Sequence, residues 1–247
     1  MDNFTDHGKN VSLPLLTYSF ETKLRMRKEI LITADGSATI FLPEWNEYYH
    51  SKFGAVQESI HVFIKNGLNH LKDDKISILE VGFGTGLNAL LTFIYGQNFR
   101  SIHYLALENN PMPWEYIKQL KYPEYLRLNT ELNGYFAKMH QSPWNSEITL
   151  SNNFILHKSF LDIKDFRTPD KFNLIYFDAF APAIQPELWE EDVFRKLSDA
   201  LLPKGLLVTY CAKGEFRRSL QQIGFEVERL PGPPGKREMI RAILKSD

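Results

Sequence analysis

The chain has 247 residues, of which 43% are hydrophobic and 13% aromatic, and this composition argues against an intrinsically disordered protein. Its formal net charge is −1, so a polyanion would have to bind a local basic patch rather than an overall basic field. Cys211 is the single cysteine, which excludes an intrachain disulfide and a cysteine-rich zinc site. We expect no metal site. The polar first residues do not resemble a signal peptide and no apolar run approaches the about 20 residues of a membrane span, so we expect a cytoplasmic protein.

Residues 1–75 predict an N-terminal extension that packs on the rest of the chain. Residues 30–33 and 38–42 have strand patterns, and the Asp35-Gly36 pair between them is typical of a β-hairpin turn. Apolar residues recur at helical spacing over residues 55–71, which predicts a helix after the hairpin.

From residue 76 onward, strand and helix patterns alternate. The predicted strands cover residues 76–81, 102–108, 148–157, 172–178, 206–211, 225–230 and 238–244. The predicted helices cover residues 87–95, 111–120, 187–201 and 213–223. Such alternation predicts a mostly parallel sheet with helices on both faces. We therefore expect residues 76–247 to form one α/β domain around a seven-stranded sheet that ends in a C-terminal antiparallel hairpin.

A glycine-rich turn follows the first of these strands and precedes a helix. Its residues are Gly82, Phe83, Gly84, Thr85 and Gly86, with Glu80 before them and Asn88 after them. Glycines let the backbone approach a ligand closely, and open α/β sheets bind ligands beyond the carboxyl ends of their strands. The Gly-x-Gly-x-Gly spacing differs from the dehydrogenase pattern Gly-x-Gly-x-x-Gly, and the acidic residue before it suits a ligand with a cationic amino group.

Glu108 ends the next predicted strand, where a carboxylate can accept hydrogen bonds from both hydroxyls of a ribose. Together with the glycine turn it predicts a Rossmann-like, class I S-adenosylmethionine-dependent methyltransferase, whose cofactor binds at these residues. NAD is the nearer competing ligand.

A second loop, residues 178–182, follows the predicted strand 172–178 and faces the same crevice. Methyl transfer requires an aligned, unprotonated nucleophile. We assign three residues of the loop to catalysis: Asp178 orients an amine, accepts its proton and also contacts the cofactor, Phe180 offers a ring, and Pro182 stiffens the loop. In the alternative interpretation, Asp178 only caps the segment that follows it.

Longer stretches of the sequence resemble one family. Besides the glycine turn they are residues 178–182, 186–189, 213–220, 224–225 and 235–239, and near the N-terminus residues 49–51, 54–55 and 58–59. From about residue 40 the chain is similar to the methyltransferase half of the bifunctional tRNA 5-methylaminomethyl-2-thiouridine biosynthesis (MnmC) family, or to its stand-alone (MnmD) form. Many members of the family carry an acidic residue just after the third strand that can bind the adenine of the cofactor. In this sequence, Ser159 and Asp162 are both candidates for that contact.

The resemblance implies methylation of the aminomethyl group on the wobble uridine of tRNA, with S-adenosylmethionine as cofactor. The family's FAD-dependent oxidase half has no counterpart in the sequence, so we expect a separate oxidase, or the complex that modifies wobble uridine, to supply the amine. RNA phosphates would meet cations and a splayed base would meet aromatic rings. The candidates for contact with tRNA are Tyr49, Trp189, Lys213, Arg217, Arg218, Lys236 and Arg237.

Two alternatives to tRNA methylation stay open at this point. The same fold can serve a methyltransferase for another amine, or an aminopropyltransferase that uses a decarboxylated cofactor. A protein of another class, a tRNA-binding module without turnover, would also keep the fold.

Overall fold

The computed structural model describes residues 26–246 of the chain. The first 25 residues of the predicted N-terminal extension and the last residue, Asp247, lie outside the described residues. Among the described helices, none is long and apolar enough to cross a lipid bilayer.

Eight strands form the central sheet. Their bounds are β4 Lys75–Val81, β5 Ser101–Glu108, β6 Ser146–Ser151, β7 Phe154–Phe160, β8 Phe172–Phe177, β9 Leu201–Thr209, β10 Phe225–Pro231 and β11 Glu238–Leu244. They lie in the order β10, β11, β9, β8, β4, β5, β7, β6. The five strands from β9 to β7 run parallel, whereas β6, β10 and β11 are antiparallel to their neighbours. The predicted mostly parallel sheet with a C-terminal antiparallel hairpin is confirmed.

The predicted number of seven strands was too low, because the strand expected over residues 148–157 is a hairpin. β6 and β7 pair in antiparallel fashion, and Asn152 and Asn153 form the turn between them. The Ser151 hydroxyl and the Asn153 side-chain oxygen are 2.8 Å apart. The alternation of apolar and polar residues continues through this turn, so it did not indicate that the chain changes direction there. The two asparagines, which favour turns, were the available sequence signal.

The three neighbouring strands β8, β4 and β5 set the position of the site. Val81 at the end of β4 lies beside Leu107 of β5 and Phe177 of β8. Apolar side chains on both faces of β4, such as Ile78 and Leu79, are fully buried, which fixes the register of the strand. Because parallel strands end at the same edge, the segments that follow β4, β5 and β8 meet there.

The helices cover both faces of the sheet. Their bounds are α1 Ala55–Ser59, α2 Leu87–Tyr95, α3 Trp114–Ile117, α4 Tyr122–Tyr125, α5 Thr130–Gln141, α6 Glu191–Ala200 and α7 Gly214–Gln222. The helix predicted over residues 55–71 starts as α1 and continues as a π-helical segment, Ile60–Lys65, and a 3₁₀ turn, Leu68–His70. The helix predicted from residue 111 starts only at Trp114, after an extended Pro113.

Helices α4 and α5 were not predicted. Helix α5 buries only Phe136 and Met139, so its apolar periodicity is too weak to indicate a helix.

The N-terminal residues form a second, three-stranded antiparallel sheet. Its strands are β1 Glu29–Ile32, β2 Ala38–Leu42 and β3 Glu47–Tyr48, which confirms the predicted hairpin. Ile40 and Leu42 are buried in the same apolar core as Ile78 of the central sheet. The division of the chain at residue 75 into an extension and a domain stays a prediction.

Candidate cofactor and substrate site

A cavity of about 280 Å³ lies at the carboxyl edge of β4, β5 and β8, close to the lower end of the roughly 300–1,000 Å³ typical of small-molecule sites. The glycine turn, the end of β5 and the segments after β7 and β8 form part of its wall. Residues between Met26 and Glu58, Tyr210 after β9 and Lys236 of the β10–β11 loop also contribute. The sequence-predicted residues at its wall are Tyr49, Gly82, Phe83, Gly84, Thr85, Asn88, Glu108, Asp162, Asp178, Phe180 and Lys236.

The backbone of the glycine turn fits closely between its two neighbouring loops. Gly82 has a φ of 92°, and a Cβ there would lie 2.7 Å from the backbone carbonyl oxygen of Asp178. The N–H groups of Gly82 and Phe83 donate to the carbonyl oxygen of Leu107 at 3.0 and 3.2 Å. Gly86, with a φ of 70°, caps the start of α2 and does not line the cavity. This packing requires glycine at position 82.

The Glu108 carboxylate at the end of β5 is fixed by the backbone. The Gly84 N–H donates to Oε2 at 3.0 Å and the Asn110 N–H donates to Oε1 at 2.7 Å. A carboxylate oxygen can accept more than one hydrogen bond, and Glu108 lines the cavity. The geometry is therefore suited to a pair of vicinal hydroxyls.

The side-chain amide of Asn88 connects two carboxylates. Its Nδ2 donates to Glu80 Oε1 at 3.0 Å and to Asp178 Oδ2 at 2.8 Å. Glu80 is fully buried and, unlike Asn88 and Asp178, does not line the cavity. Burial raises the pKa of Glu80 well above its ordinary value of 4.5, and the charge of Asp178 raises it further. The structure thus places Glu80 beneath the cavity wall, where it supports Asn88.

The pKa of Asp178 is raised from 3.8 to about 7. Burial is the largest cause and the negative charge of Glu58 is the next, while the Asn88 hydrogen bond and the charge of Lys236 lower the pKa. Asp178 follows β8 directly, and its own N–H donates to the Val81 carbonyl oxygen at 3.0 Å. A carboxyl group with such a pKa can exchange a proton near neutral pH.

Aromatic rings from two parts of the chain form one side of the cavity. The Phe180 ring lies 5.0 Å from that of Tyr49 and 5.5 Å from that of Trp45, both edge to face. All three residues line the cavity. Tyr49 and Trp45 come from the N-terminal residues, so this part of the chain builds the site together with the loop after β8.

A partly buried ion pair at the wall was not predicted. Lys236 Nζ lies 2.6 Å from Glu58 Oε1, and the Ser51 N–H donates to Glu58 Oε2 at 2.7 Å. Lys236 Nζ also lies 3.7 Å from the centroid of the Tyr210 ring. Lys236 was expected to contact RNA, whereas neither Glu58 nor Tyr210 was assigned a role. The only sequence signal for Glu58 was the resemblance of residues 58–59 to the family, and Tyr210 lies outside the stretches that carry the resemblance.

His50 was also missed. It lines the cavity, and its Nε2 lies 3.4 Å from the Thr85 hydroxyl. Burial lowers the pKa of His50 from 6.5 to about 4, so the imidazole is neutral at physiological pH. His50 therefore adds a polar but uncharged group to the wall.

The two candidates for adenine occupy different places. Asp162 lines the cavity, and its Oδ2 accepts a hydrogen bond from Asn109 Nδ2 at 2.8 Å. Ser159 lies within β7, opposite Leu107 of β5, and does not line the cavity. Asn109 and Asp162 follow adjacent strands, which brings them to the same edge.

Several predicted site residues lie away from the cavity wall. Trp189 is 9% exposed, its ring packs on Phe177 and Phe216, and its Nε1 donates to the Phe180 carbonyl oxygen at 2.8 Å. The expectation that Trp189 stacks on a base is therefore corrected: the indole is a core group that holds the loop after β8. Besides Glu80, Gly86 and Ser159, the other predicted residues outside the wall are Pro182, Lys213, Arg217, Arg218 and Arg237.

A Rossmann-like sheet with a glycine turn, an anchored carboxylate at the end of β5 and a second carboxylate after β8 defines an S-adenosyl-L-methionine-dependent methyltransferase. A family model described as an S-adenosyl-L-methionine-dependent methyltransferase matches residues 124–245. The chain is also similar to tRNA 5-methylaminomethyl-2-thiouridine biosynthesis bifunctional proteins MnmC. It is 31% identical over 235 residues to the protein of Cupriavidus necator and 30% identical over 215 residues to that of an Azoarcus species.

These matches cover 88% and 82% of this chain but 34% of each relative, so the chain spans about a third of their length. The crystal structure of MNMC2 from Aquifex aeolicus shares the fold, with a TM-score of 0.70 and 24% identity over 90% of this chain and 72% of that one. The resemblance drawn from the sequence is thus confirmed.

Proposed function

We propose that this chain transfers a methyl group from S-adenosylmethionine to the aminomethyl group on the wobble uridine of tRNA. The observation that carries the proposal is the Asp178 carboxyl, which has a pKa near 7 and lines the cavity beside the glycine turn. The MnmC relatives are named for the biosynthesis of 5-methylaminomethyl-2-thiouridine in tRNA, a product whose methyl group is on an amine.

The residues present fit the cofactor. Glu108 suits its ribose hydroxyls, and the cavity wall at Asp162 and Asn109 suits a polar base. Among the described residues, the buried amide oxygen of Asn88 has no hydrogen-bond partner, and an ammonium group in the cavity would supply a donor. When bound, S-adenosylmethionine supplies an electrophilic methyl group on a sulfonium.

Asp178 has to make the substrate amine nucleophilic. An alkylammonium has no lone pair, so its proton must leave before nitrogen can attack carbon, and Asp178 is the base. Nitrogen then forms a bond to the methyl carbon, and the electron pair of the broken carbon–sulfur bond stays on sulfur. Tyr49 and Phe180 provide ring surfaces that hold a base turned out of its loop.

The surface cations supply the contact with the tRNA backbone. Lys213, Arg218 and Arg237 are exposed and Arg217 is half-buried. Phosphate contacts by such side chains make affinity fall with salt. The double substitution Arg217→Ala and Arg218→Ala should raise the Michaelis constant for tRNA. It should also reduce the dependence of tRNA affinity on salt by the equivalent of about two phosphate contacts. An unchanged Michaelis constant and salt slope would remove this surface from the proposal.

The amine substrate requires a preceding enzyme. The relatives are bifunctional, and we propose that a separate oxidase or the wobble-uridine modification complex supplies the amine to this chain. Because the proposed substrate is tRNA, we propose that the reaction takes place in the cytoplasm.

Methyl transfer to undermodified tRNA tests the proposal. Wild type and Asp178→Asn are incubated with radiolabelled S-adenosylmethionine and tRNA that carries the aminomethyl group, and the nucleosides are analysed by mass spectrometry. Wild type should yield the methylated amine and the variant should not, while both bind S-adenosylhomocysteine with similar affinity in a calorimeter. Methylation of a small amine or a protein but not of tRNA, transfer of an aminopropyl group, or binding of NADH alone would overturn the proposal.

A further inference from the structure

The Glu58–Lys236 pair joins the N-terminal helix to the C-terminal hairpin at the cavity. The Glu58 side chain is 7% exposed and that of Lys236 is 32% exposed. Two other contacts hold the same elements together: His61 Nε2 lies 2.8 Å from the Pro231 carbonyl oxygen, and the Phe53 ring packs on Gly235. The pair therefore occupies a defined position in the wall.

The surroundings of Lys236 Nζ offer a carboxylate and an aromatic ring to a primary ammonium. Glu58 accepts one of its hydrogen bonds, and the Tyr210 ring faces the cation at 3.7 Å. Both receptor groups are fixed: Glu58 by the Ser51 N–H, and Tyr210 by its hydroxyl, which donates to the Ala179 carbonyl oxygen at 2.8 Å. Carboxylate and aromatic face are the two groups that bind an alkylammonium most strongly.

Lys236 ends in a methylene and an ammonium, which is also the chemical structure of a protonated aminomethyl substituent. Glu58, Lys236, Tyr210 and Asp178 line the same cavity, and the charge of Glu58 acts on Asp178. An ammonium at Glu58 therefore lies close to the base that the proposed reaction needs.

We propose that Glu58 and Tyr210 bind the ammonium of the substrate, and that the Lys236 side chain occupies their site until the substrate displaces it. This inference rests on the proposed function and names the specificity residues of that reaction. After the exchange, Asp178 takes one proton, a second N–H keeps its bond to Glu58, and the lone pair is free for the methyl carbon. The displaced Lys236 needs a new anion, which an RNA phosphate supplies.

Such an exchange predicts that the enzyme discriminates between an amine on RNA and the same amine on a free nucleoside. Only RNA offers both the ammonium for Glu58 and the phosphate for Lys236. The nucleoside must displace Lys236 without neutralising it, which costs affinity. Lys236 thus selects for RNA although it does not react.

The test measures Michaelis constants for aminomethyl tRNA and for the nucleoside 5-aminomethyl-2-thiouridine. For Lys236→Met we expect the constant to fall about tenfold with the nucleoside and to rise severalfold with tRNA. The double variant Glu58→Gln/Lys236→Met leaves no unpaired buried charge at this site, so it is expected to fold. Its Michaelis constants should be about tenfold higher than those of Lys236→Met for both substrates. Lys65→Met and Glu226→Gln, exposed residues away from the cavity wall, are the matched controls.

The outcomes separate the two proposals. Absence of turnover by wild type on tRNA would overturn the proposed function, and the inference with it. Two results would overturn only the inference, provided that wild type turns over tRNA. One is that Lys236→Met changes the Michaelis constants for both substrates in the same direction. The other is that the double variant has the same Michaelis constants as Lys236→Met. Unchanged affinity for S-adenosylhomocysteine in every variant verifies that the fold and the cofactor site are intact.

Discussion

The ionisation of Asp178 gives the most direct quantitative prediction. Its carboxyl has a pKa of about 7, raised first by burial and second by the charge of Glu58. Lys236 and Asn88 lower the pKa of Asp178, and the charge of Asp178 in turn raises the pKa values of Glu80, Tyr104 and Tyr210. If the ionised carboxylate is the base, turnover follows its ionised fraction.

The expected pH profile follows from that pKa. About a tenth of the carboxyl is ionised one pH unit below the pKa and about a hundredth two units below it. The kcat/KM, which reports the ionisation of the free enzyme, should therefore be constant above pH 8, fall to about half near pH 7, and fall about tenfold per unit from pH 6 to pH 5. An aspartate at its ordinary pKa of 3.8 would leave the profile flat over this range.

The assay compares the kcat/KM of wild type and Asp178→Asn, measured with limiting cofactor and tRNA, between pH 5 and pH 9. Asparagine keeps the shape of the side chain and an acceptor oxygen but cannot take a proton. Turnover should therefore fall by about 10²–10⁴-fold, and the pH profile should no longer decrease near pH 7. Circular dichroism at each pH controls for unfolding. A wild-type profile that stays flat from pH 5 to pH 8, or a variant that retains the same limb, would refute the assignment of Asp178 as the base.

Three further substitutions test the structure of the site and its support. Gly82 has a φ of 92°, and a Cβ there would lie 2.7 Å from a carbonyl oxygen, so Gly82→Ala should destabilise the fold by at least about 1–3 kcal/mol in urea unfolding. The control is Gly134→Ala in α5, whose Cβ would meet nothing within 4 Å and which should stabilise the fold by about 1 kcal/mol. Equal effects of the two substitutions would contradict the packing described for the glycine turn. Glu108→Gln should weaken S-adenosylhomocysteine binding about tenfold in calorimetry, and the exposed Glu115→Gln should not; equal affinities would exclude Glu108 from the ribose site. Lys158 is 1% exposed, donates to two carbonyl oxygens at the end of α5, and has a pKa lowered to about 8 by burial. Because the unfolded chain then binds the extra proton, wild type should gain stability relative to Lys158→Met as pH rises from about 8 to 10.5, and a constant difference would refute the burial of this charge.

Local patterns in the sequence were sufficient for much of the fold. The alternation of apolar residues in β4 and β5, and the Asp35-Gly36 turn of the first hairpin, depend on neighbouring residues only. The π-helical continuation of α1, the reversal between β6 and β7, and helix α5 lack a strong local period. Packing against the rest of the chain decides these elements.

The sequence by itself determined the class of the protein, because the glycine turn, the acids at the ends of β4 and β5 and the acid after β8 are read from local order alone. Chain order also indicates that the parallel strands bring Glu108 and Asp178 to one edge. What the sequence could not supply is the environment of these groups, since burial and charge at a carboxyl depend on residues distant along the chain.

Tertiary structure decided which side chains complete the site. Glu58 and Lys236 are 178 positions apart, and no local pattern relates them; their contact exists because the C-terminal hairpin packs on the N-terminal helix. Packing against Phe177 and Phe216 buries Trp189, an aromatic residue that the sequence could not distinguish from an exposed one. Burial and the charge of Glu58 raise the pKa of Asp178 to about 7. Patterns along the chain encode secondary structure and turns, whereas dielectric environment and ion pairing arise only when distant segments exclude water together.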